Sequence, residues 1–214
     1  NEQVVNKNSG ELIKISEALH EKKIAQIADM IHQRKEEVKI ILLSGPSASG
    51  KTTTAKRLAI QLKVLGIKPI PISLDNYFVD RDKTPKDENG EYNFEALEAL
   101  DLETLYKNLN DLIKGKKVKM PKFSFETGKR YYNGEELQVD KDHVFILEGI
   151  HALNPALTAK FDDKLKFKIY VSALTQVGID HHNRIPTTDN RLIRRIVRDY
   201  QYRHYSALDT IRRW

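Results

Sequence analysis

The chain alternates between short apolar runs and longer segments in which apolar residues recur every three or four positions. The short runs are about six residues long and end near turn residues, which is typical of strands buried on both faces of a parallel sheet. They cover residues 39–44, 69–74, 143–149 and 167–172. The periodic segments predict amphipathic helices. The strongest of these cover residues 17–35, 51–65, 102–114 and 189–202. Strands that alternate with helices indicate an α/β fold with a mainly parallel sheet.

Two segments depart from this alternation. Residues 76–94 are polar and rich in turn residues, and a loop of that length usually has a function. Residues 118–139 predict a small antiparallel excursion whose hairpin turn lies at Asn133-Gly134, a dipeptide that favours tight turns. In the last long helix, Asp189 is the expected N-cap. The apolar residues of this helix are expected to be buried: Leu192, Ile193, Ile196 and Val197.

The composition of the chain excludes several classes of protein and of functional site. The 214 residues include no cysteine, which excludes a disulfide scaffold, a cysteine nucleophile and a thiolate metal site. No apolar run reaches the length of a membrane span, and the first residues lack the apolar core of a signal peptide. We therefore expect a cytoplasmic protein without a membrane partner.

The net charge of +6 is concentrated near the C-terminal end of the sequence. Residues 181–214 contain eight arginines and three aspartates, with no lysine and no glutamate, whereas the rest of the chain is nearly neutral. A segment with this much positive charge indicates an anionic partner, which could be phosphate groups, nucleic acid or a membrane surface.

The segment after the first predicted strand has the spacing G-x-x-x-x-G-K-T, which defines the P-loop. Its glycines let the backbone wrap a phosphate with the N–H groups facing inward, and Lys51 supplies positive charge to the β- and γ-phosphates. The Thr52 hydroxyl is the expected ligand of Mg²⁺, and the helix that begins there adds its positive end. A nucleoside triphosphate with Mg²⁺ is the implied ligand. The expected nucleotide-binding residues are Gly45, Pro46, Ser47, Ala48, Ser49, Gly50, Lys51, Thr52 and Thr53.

Five motifs in order resemble the uridine kinase and phosphoribulokinase group of P-loop kinases. They are GPSASGKTT, LDNYFVDRD, NFEALEALD, ILEGIHAL and DNRLIRRIVRD. The resemblance implies a three-layer α/β/α P-loop kinase domain over residues 37–214 that uses ATP and Mg²⁺. Residues 1–36 are then a helical extension or linker. They resemble the segment that precedes the kinase in long bacterial uridine kinase-like proteins, after a threonyl-tRNA synthetase-like region. We therefore expect the kinase part of a longer chain, cut short at its C-terminus.

The resemblance also assigns roles to individual side chains. Asp75 corresponds to the general base that accepts the proton of the attacking hydroxyl, and Glu148 to the acidic residue that holds Mg²⁺ opposite Thr52. Glu95 stands where the family binds the sugar hydroxyls of the acceptor, usually with aspartate. Each of these carboxylates has an alternative, purely structural role. Asp75 could cap the following turn, Glu148 could be an acidic residue at a strand end without a ligand, and Glu95 could be a helix N-terminal residue favoured by the helix dipole. Further expected acceptor-site residues are Tyr77, Phe78, Phe123 and Arg191.

Four arginines in the last long helix recur at spacings of three and four and therefore share one face. Their planar, forked donors suit phosphate oxygens. The resemblance places a lid here, over about residues 184–205, that closes on ATP and the acceptor; the alternative is a solvated helix face. Arg191 and Arg194 are expected to face the reacting groups, and Arg195 and Arg198 to bind ATP.

The acceptor segment departs from the uridine kinase pattern. Phe123 replaces a tyrosine, Gly128 stands at the position of a base-contacting histidine, and Tyr205 replaces a later lid arginine. A site without these hydrogen-bonding groups loses discrimination between bases. The favoured function is phosphorylation of a nucleoside 5′-hydroxyl, with uridine or cytidine as acceptor.

Two other functions stay open. The first is a kinase on the same fold for another sugar or small metabolite. The second is an RNA-binding module with the P-loop as a nucleotide switch, in which tyrosines near the basic helix stack on bases. Asp75 and Glu148 favour a kinase, because a pure binding module needs neither, so a small molecule is expected as partner rather than nucleic acid. The sequence leaves the oligomeric state open, with a homo-oligomer among the alternatives.

Overall fold

The computed structural model describes residues 6, 8–140, 142–174, 180 and 182–214. The strands are β1 (Ile40–Ser44), β2 (Lys68–Ser73), β3 (Val118–Lys119), β4 (Lys122–Ser124), β5 (Lys129–Tyr131), β6 (Glu136–Leu137), β7 (His143–Glu148) and β8 (Lys166–Tyr170). The helices are α1 (Ser9–His32), α2 (Lys51–Val64), α3 (Leu102–Ile113), α4 (Pro155–Thr158), α5 (Thr187–Arg203) and α6 (Ala207–Arg212). Short 3₁₀ turns cover Leu74–Tyr77, Arg81–Lys83, Leu97–Ala99 and Asp163–Leu165.

The four predicted strands form one sheet in the order β2-β7-β1-β8, and all neighbouring pairs are parallel. Parallel pairing places the carboxyl ends of these strands at one edge, where α/β folds bind their ligands. In register, Leu43 of β1 lies beside Glu148 of β7, and Ser73 of β2 lies on the other side of Glu148. The predicted α/β fold with a mainly parallel sheet is confirmed.

The central strand β1 shows how the sheet is covered on both faces. Its five residues are all buried. Ile40 and Leu42 pack into an apolar cluster with α3 and the segments around the small strands, whereas Ile41 and Leu43 pack into a second cluster with α1 and α2. Because successive side chains of a strand point to opposite faces, a strand covered on both sides is apolar throughout.

Helix α1 starts earlier than its predicted bound of residue 17 and is only half packed. Its second half buries Ile24, Ala28 and Ile31 against the body of the domain. Glu21 accepts a hydrogen bond from Arg57 of α2 at 2.8 Å. The first half leaves its apolar residues exposed: Leu12, Ile13, Ile15 and Leu19.

The antiparallel excursion is built differently from the prediction. β3 pairs with β6, and β4 pairs with β5, so two short ladders replace one continuous hairpin. The hairpin turn between β4 and β5 ends at Gly128, which has φ +67°. Asn133-Gly134 lies in the connection between β5 and β6, so its assignment as the hairpin turn was wrong. The segment 76–94 is also more structured than predicted, with an isolated bridge between Lys86 and Tyr92.

Helix α5 lies with its polar face inward. Its N-cap is Pro186, and Asp189 falls in the first helical turn, so the cap prediction was wrong. Leu192 and Ile196 are partly buried, but Ile193 and Val197 are exposed at 61% and 51%. The only α5 residue that is buried is Asp199. The burial expected for Ile193 and Val197 was therefore wrong, because the arginine face contacts the protein instead.

Candidate active site

The P-loop connects the carboxyl end of β1 to the start of α2. Gly45 packs so closely on the backbone of Val171 that a Cβ at position 45 would overlap the carbonyl oxygen of Val171. Gly50 has φ +103° and Ala48 has φ +58°. These left-handed residues turn the chain sharply before α2 begins, and glycine adopts such angles without steric cost. The loop thus forms a tight cradle at the N-terminal end of α2.

Two side chains make this cradle suitable for phosphate. The Lys51 ammonium donates hydrogen bonds to the carbonyl oxygens of Gly45 at 2.9 Å and Pro46 at 3.2 Å, so it curls over the loop. Burial lowers the pKa of Lys51, and the nearby carboxylates of Glu148 and Asp75 oppose that shift. The Ser49 hydroxyl is buried and has no hydrogen-bond partner in the described part of the chain. A buried hydroxyl without a partner is costly, and a phosphate oxygen would satisfy it.

Thr52 and Glu148 lie together beside the cradle. The Thr52 hydroxyl, on the first turn of α2, donates to Glu148 Oε1 at the end of β7, at 3.0 Å. Burial and the neighbouring Asp75 charge raise the pKa of Glu148. Within the described residues no three acidic or histidine side chains cluster as a metal site. One hydroxyl and one carboxylate suit Mg²⁺, which takes its other ligands from phosphates and water.

Asp75 lies in the 3₁₀ turn that follows β2. Surrounding protein raises the pKa of its carboxyl, and three cations oppose the shift, in the order Arg203, Lys51 and Arg198. Its side chain nevertheless remains 41% exposed. Asp75 is therefore a carboxylate that a ligand can reach, next to the Lys51 cradle.

The arginine face of α5 contacts the P-loop directly. Arg191 Nε donates to the carbonyl oxygen of Ser47 at 2.9 Å, and Arg194 Nε donates to that of Ala48 at 3.0 Å. A cavity of about 220 Å³ lies between helix and loop. Its lining residues are Ala48, Gly50, Lys51, Thr52, Thr53, Arg194 and Arg198. Five of the predicted P-loop residues and two lid arginines thus line one cavity.

Sequence reasoning missed two residues that complete this arrangement. Asp199 is buried on α5 and accepts hydrogen bonds from Arg198, with Nη2 at 2.7 Å. Arg195 and Arg203 lie one turn on either side, at 3.5 and 3.7 Å from its carboxylate. Arg203 Nη2 also lies 4.0 Å from Asp75. The sequence contains a pattern that could have revealed this cluster. On one face of the helix, Asp199 lies four residues after Arg195 and four residues before Arg203.

Two predicted acceptor-site aromatics, Phe78 and Phe123, are buried in an edge-to-face cluster of the core. Phe78 contacts Phe94, Phe123 and Phe125 with ring centroids 5.4 to 6.2 Å apart. The Arg203 guanidinium stacks over the ring of Phe125 at 4.2 Å. Tyr77 differs from its predicted position in the pocket wall. It is buried in the core, where its hydroxyl accepts from Asn108 at 3.2 Å and burial raises its pKa to about 12.

Glu95 is exposed, and the structure gives its carboxylate no contact with the other candidate site residues. Its backbone carbonyl oxygen lies 2.9 Å from His151 Nε2. His151 follows the carboxyl end of β7 by three residues, so the Glu95 segment lies at the same edge of the sheet as Glu148.

Gly128, at the position of the base-contacting histidine, is closely packed by Arg81. A Cβ at this glycine would lie 2.5 Å from Arg81 Nε. Arg81 also donates through its side chain to the carbonyl oxygen of Phe125 at 2.8 Å. The space that a larger residue at position 128 would need is therefore filled by a guanidinium.

Comparisons with known proteins find relatives that are named as kinases. A profile of the Phosphoribulokinase / Uridine kinase family matches residues 40–214. A uridine kinase of Ligilactobacillus salivarius is 32% identical over 179 residues, which cover 83% of this chain and 74% of that protein. A uridine kinase of Brevibacillus brevis is 31% identical over 172 residues, with 80% and 71% covered. A solved structure from Silicibacter sp. TM1040, assigned as a fructose transport system kinase, shares the fold: the TM-score is 0.58, the identity 17%, and the coverage 89% and 87%.

Proposed function

Since the chain belongs to the phosphoribulokinase / uridine kinase family and is a phosphotransferase that acts on an alcohol group, we propose that it phosphorylates a nucleoside. The phosphoryl donor is ATP with Mg²⁺, and the acceptor is the 5′-hydroxyl, with uridine or cytidine favoured. The family membership gives the type of reaction, and the proposal adds the phosphoryl donor and the acceptor. The threonyl-tRNA synthetase-like region upstream stays a prediction.

The observation that carries this proposal is the position of Asp75 relative to the phosphate cradle. Asp75 and Lys51 are close enough for each charge to shift the pKa of the other. An acceptor hydroxyl bound between them would meet a carboxylate on one side and the bound γ-phosphate on the other. A carboxylate suits this role, because it accepts the hydroxyl proton as the phosphoryl group arrives.

The other side chains support phosphoryl transfer by charge and position. The P-loop backbone and Lys51 hold the phosphates, and Thr52 with Glu148 would hold Mg²⁺, which supplies positive charge to the phosphate oxygens. Arg191 and Arg194 already lie against the loop at Ser47 and Ala48, where they would contact the transferred group. Closure of such a lid also excludes water, which competes with the alcohol as acceptor.

A second candidate acceptor is favoured by the residues around Gly128. The Phe123 ring carries no hydroxyl, and Arg81 fills the space beside Gly128. A guanidinium at this place suits a sugar or small metabolite with an oxygen-rich group at least as well as a pyrimidine. This alternative keeps the same phosphate cradle and the same base, and it changes only the acceptor.

The experiment is an ATP-consumption assay with Mg²⁺ against a panel of nucleosides, sugars and small hydroxy acids. Asp75→Asn keeps the shape but removes the proton acceptor, so turnover should fall about 10²–10⁴-fold while ATP affinity changes little. Asp82→Asn, at an exposed position in the same segment, is the matched control and should retain activity. Full turnover in Asp75→Asn would refute the assignment of the base, and preference for a non-nucleoside acceptor would favour the second candidate.

A further inference from the structure

The single tryptophan of the chain lies on the lid arginines. The Trp214 ring centroid is 5.0 Å from the guanidinium carbon of Arg191 and 5.5 Å from that of Arg195. Both distances are within the range of cation–π attraction, which is about 6 Å. We propose that Trp214 is a positioning residue of the kinase, whose indole face holds Arg191 and Arg195 in place for the phosphates of the bound nucleotide. The proposal rests on the proposed function of the site.

The position of Trp214 is fixed by the short helix that precedes it. At the start of α6 the Ser206 hydroxyl accepts from the backbone N–H of Asp209 at 3.1 Å, and Asp209 accepts from the backbone N–H of Ser206 at 3.3 Å. Thr210 is buried and donates to the carbonyl oxygen of Ser206. The backbone N–H of Trp214 donates to Ile211 at 3.1 Å. These bonds hold α6 as an ordered unit, and its last turn carries the indole to α5.

The contact with Arg191 leaves the polar edge of the guanidinium free. A ring that covers the flat face of an arginine does not compete for its five in-plane donors. Arg191 Nε uses one of them on the carbonyl oxygen of Ser47 in the P-loop. The indole therefore restricts the plane of the guanidinium without using its remaining N–H groups.

The contact with Arg195 offsets the repulsion between two neighbouring arginines. Arg191 and Arg195 are one turn apart, and like charges at this spacing repel. Arg195 is only 15% exposed, and its nearest carboxylate oxygen, on Asp199, is 3.5 Å away. The negative face of a shared aromatic ring attracts both cations. An aliphatic side chain of similar size would fill the space without this attraction.

A purely structural role for Trp214 fits the observations less well. The side chain remains 42% exposed, and its neighbour Ile211 on α6 is 51% exposed, so the indole is not part of the buried core. The ring contacts that it makes in the described structure are with the two guanidinium groups. The loss of such a residue should affect the lid arginines more than global stability.

The test compares Trp214→Leu with Trp214→Phe in the full chain. With ATP and acceptor saturating, Trp214→Leu should lower kcat about tenfold, with an unchanged melting temperature, because the two arginines are less well oriented. Trp214→Phe retains an aromatic face and should recover most of kcat. The control is Tyr202→Leu, an exposed aromatic on α5 (76% exposed), which should leave kcat unchanged. Equal kcat in the Leu and Phe variants, or a loss that follows the melting temperature, would overturn the proposal.

A second readout does not depend on turnover. Because Trp214 is the only tryptophan, the intrinsic fluorescence of the protein reports on its contact with the arginines. Titration with a non-hydrolysable ATP analogue and Mg²⁺ should change the emission of the wild type, and Arg191→Met should abolish most of that change. A fluorescence response without any phosphorylated acceptor would refute the proposed function alone. An active kinase whose emission ignores nucleotide would refute the role of Trp214 alone.

Discussion

The contact between Arg203 and Asp75 predicts how the activity depends on pH. Arg203 is the strongest of the cations that lower the pKa of the Asp75 carboxyl against the effect of burial. Replacement of Arg203 by methionine removes this charge but keeps an unbranched side chain against Phe125. The pKa of Asp75 should then rise. A base with a raised pKa is protonated up to a higher pH, so the acid limb of the kcat/KM profile should move to higher pH.

The size of this shift follows from the geometry. At the 4.0 Å that separates Arg203 Nη2 from Asp75 Oδ2, two unit charges interact by about 1 kcal/mol in bulk water and by about 4 kcal/mol near a protein surface. Asp75 is 41% exposed, so solvent screening keeps the interaction near the lower value. A free energy of about 1.4 kcal/mol corresponds to one pKa unit. We therefore expect the acid limb to move up by about one pH unit.

The assay is the pH profile of kcat/KM for the acceptor at saturating ATP and Mg²⁺. Arg203→Lys keeps the charge and should shift the limb less than Arg203→Met. Arg212→Met removes an exposed charge from α6 and serves as the control for net charge alone. The shift should also shrink at high salt, because the pair is partly exposed. An acid limb that stays in place in Arg203→Met, or moves to lower pH, would refute the reasoning.

Three further predictions concern the cradle and the orientation of α5. Lys51→Ala should abolish measurable turnover and weaken ATP binding, as determined by a direct binding titration, because the phosphates lose their point charge. Asp199→Asn should make local opening of α5 easier by about 2 kcal/mol in hydrogen exchange, because three guanidinium groups lose their buried counter-charge; unchanged exchange would contradict the role of Asp199. Ile193→Ser should change the free energy of unfolding in urea by less than about 0.5 kcal/mol, whereas Ile31→Ser in the core should cost more than about 2 kcal/mol.

The central sheet and the phosphate cradle were predictable because local rules decide both. An apolar run between turn residues has few alternatives to a buried strand, and the P-loop spacing fixes the geometry of the turn that follows β1. The cap of α3 is equally local: Asp101, directly before the helix, accepts a hydrogen bond from the backbone N–H of Thr104 at 2.9 Å. Each of these features depends on neighbours within a few residues.

The small strands were not predictable in detail because their pairing depends on distant contacts. Arg130 of β5 donates to Asp101 at 2.7 Å, and its backbone N–H donates to Asp80 at 2.9 Å. These bonds join the excursion to two segments far away in the sequence and help to determine which residues face each other. Asn133-Gly134 favours a turn, and Gly134 has φ +84°, but a turn signal does not specify which strands it connects.

No helix in the described residues is long and apolar enough to cross a membrane. In α5, the apolar residues Ile193 and Val197 are exposed. Periodicity identified correctly which residues of α5 share a face, but not which face points inward. The usual rule that the apolar face is buried assumes that the polar face has no partners in the protein. Here the arginine face finds carbonyl oxygens at Ser47 and Ala48 and a buried carboxylate at Asp199. Charge-assisted hydrogen bonds compensate for partial burial of guanidinium groups. A helix whose polar face has partners in the protein can therefore bury that face instead. The sequence feature that could have indicated this is Asp199, an acidic residue among the arginines.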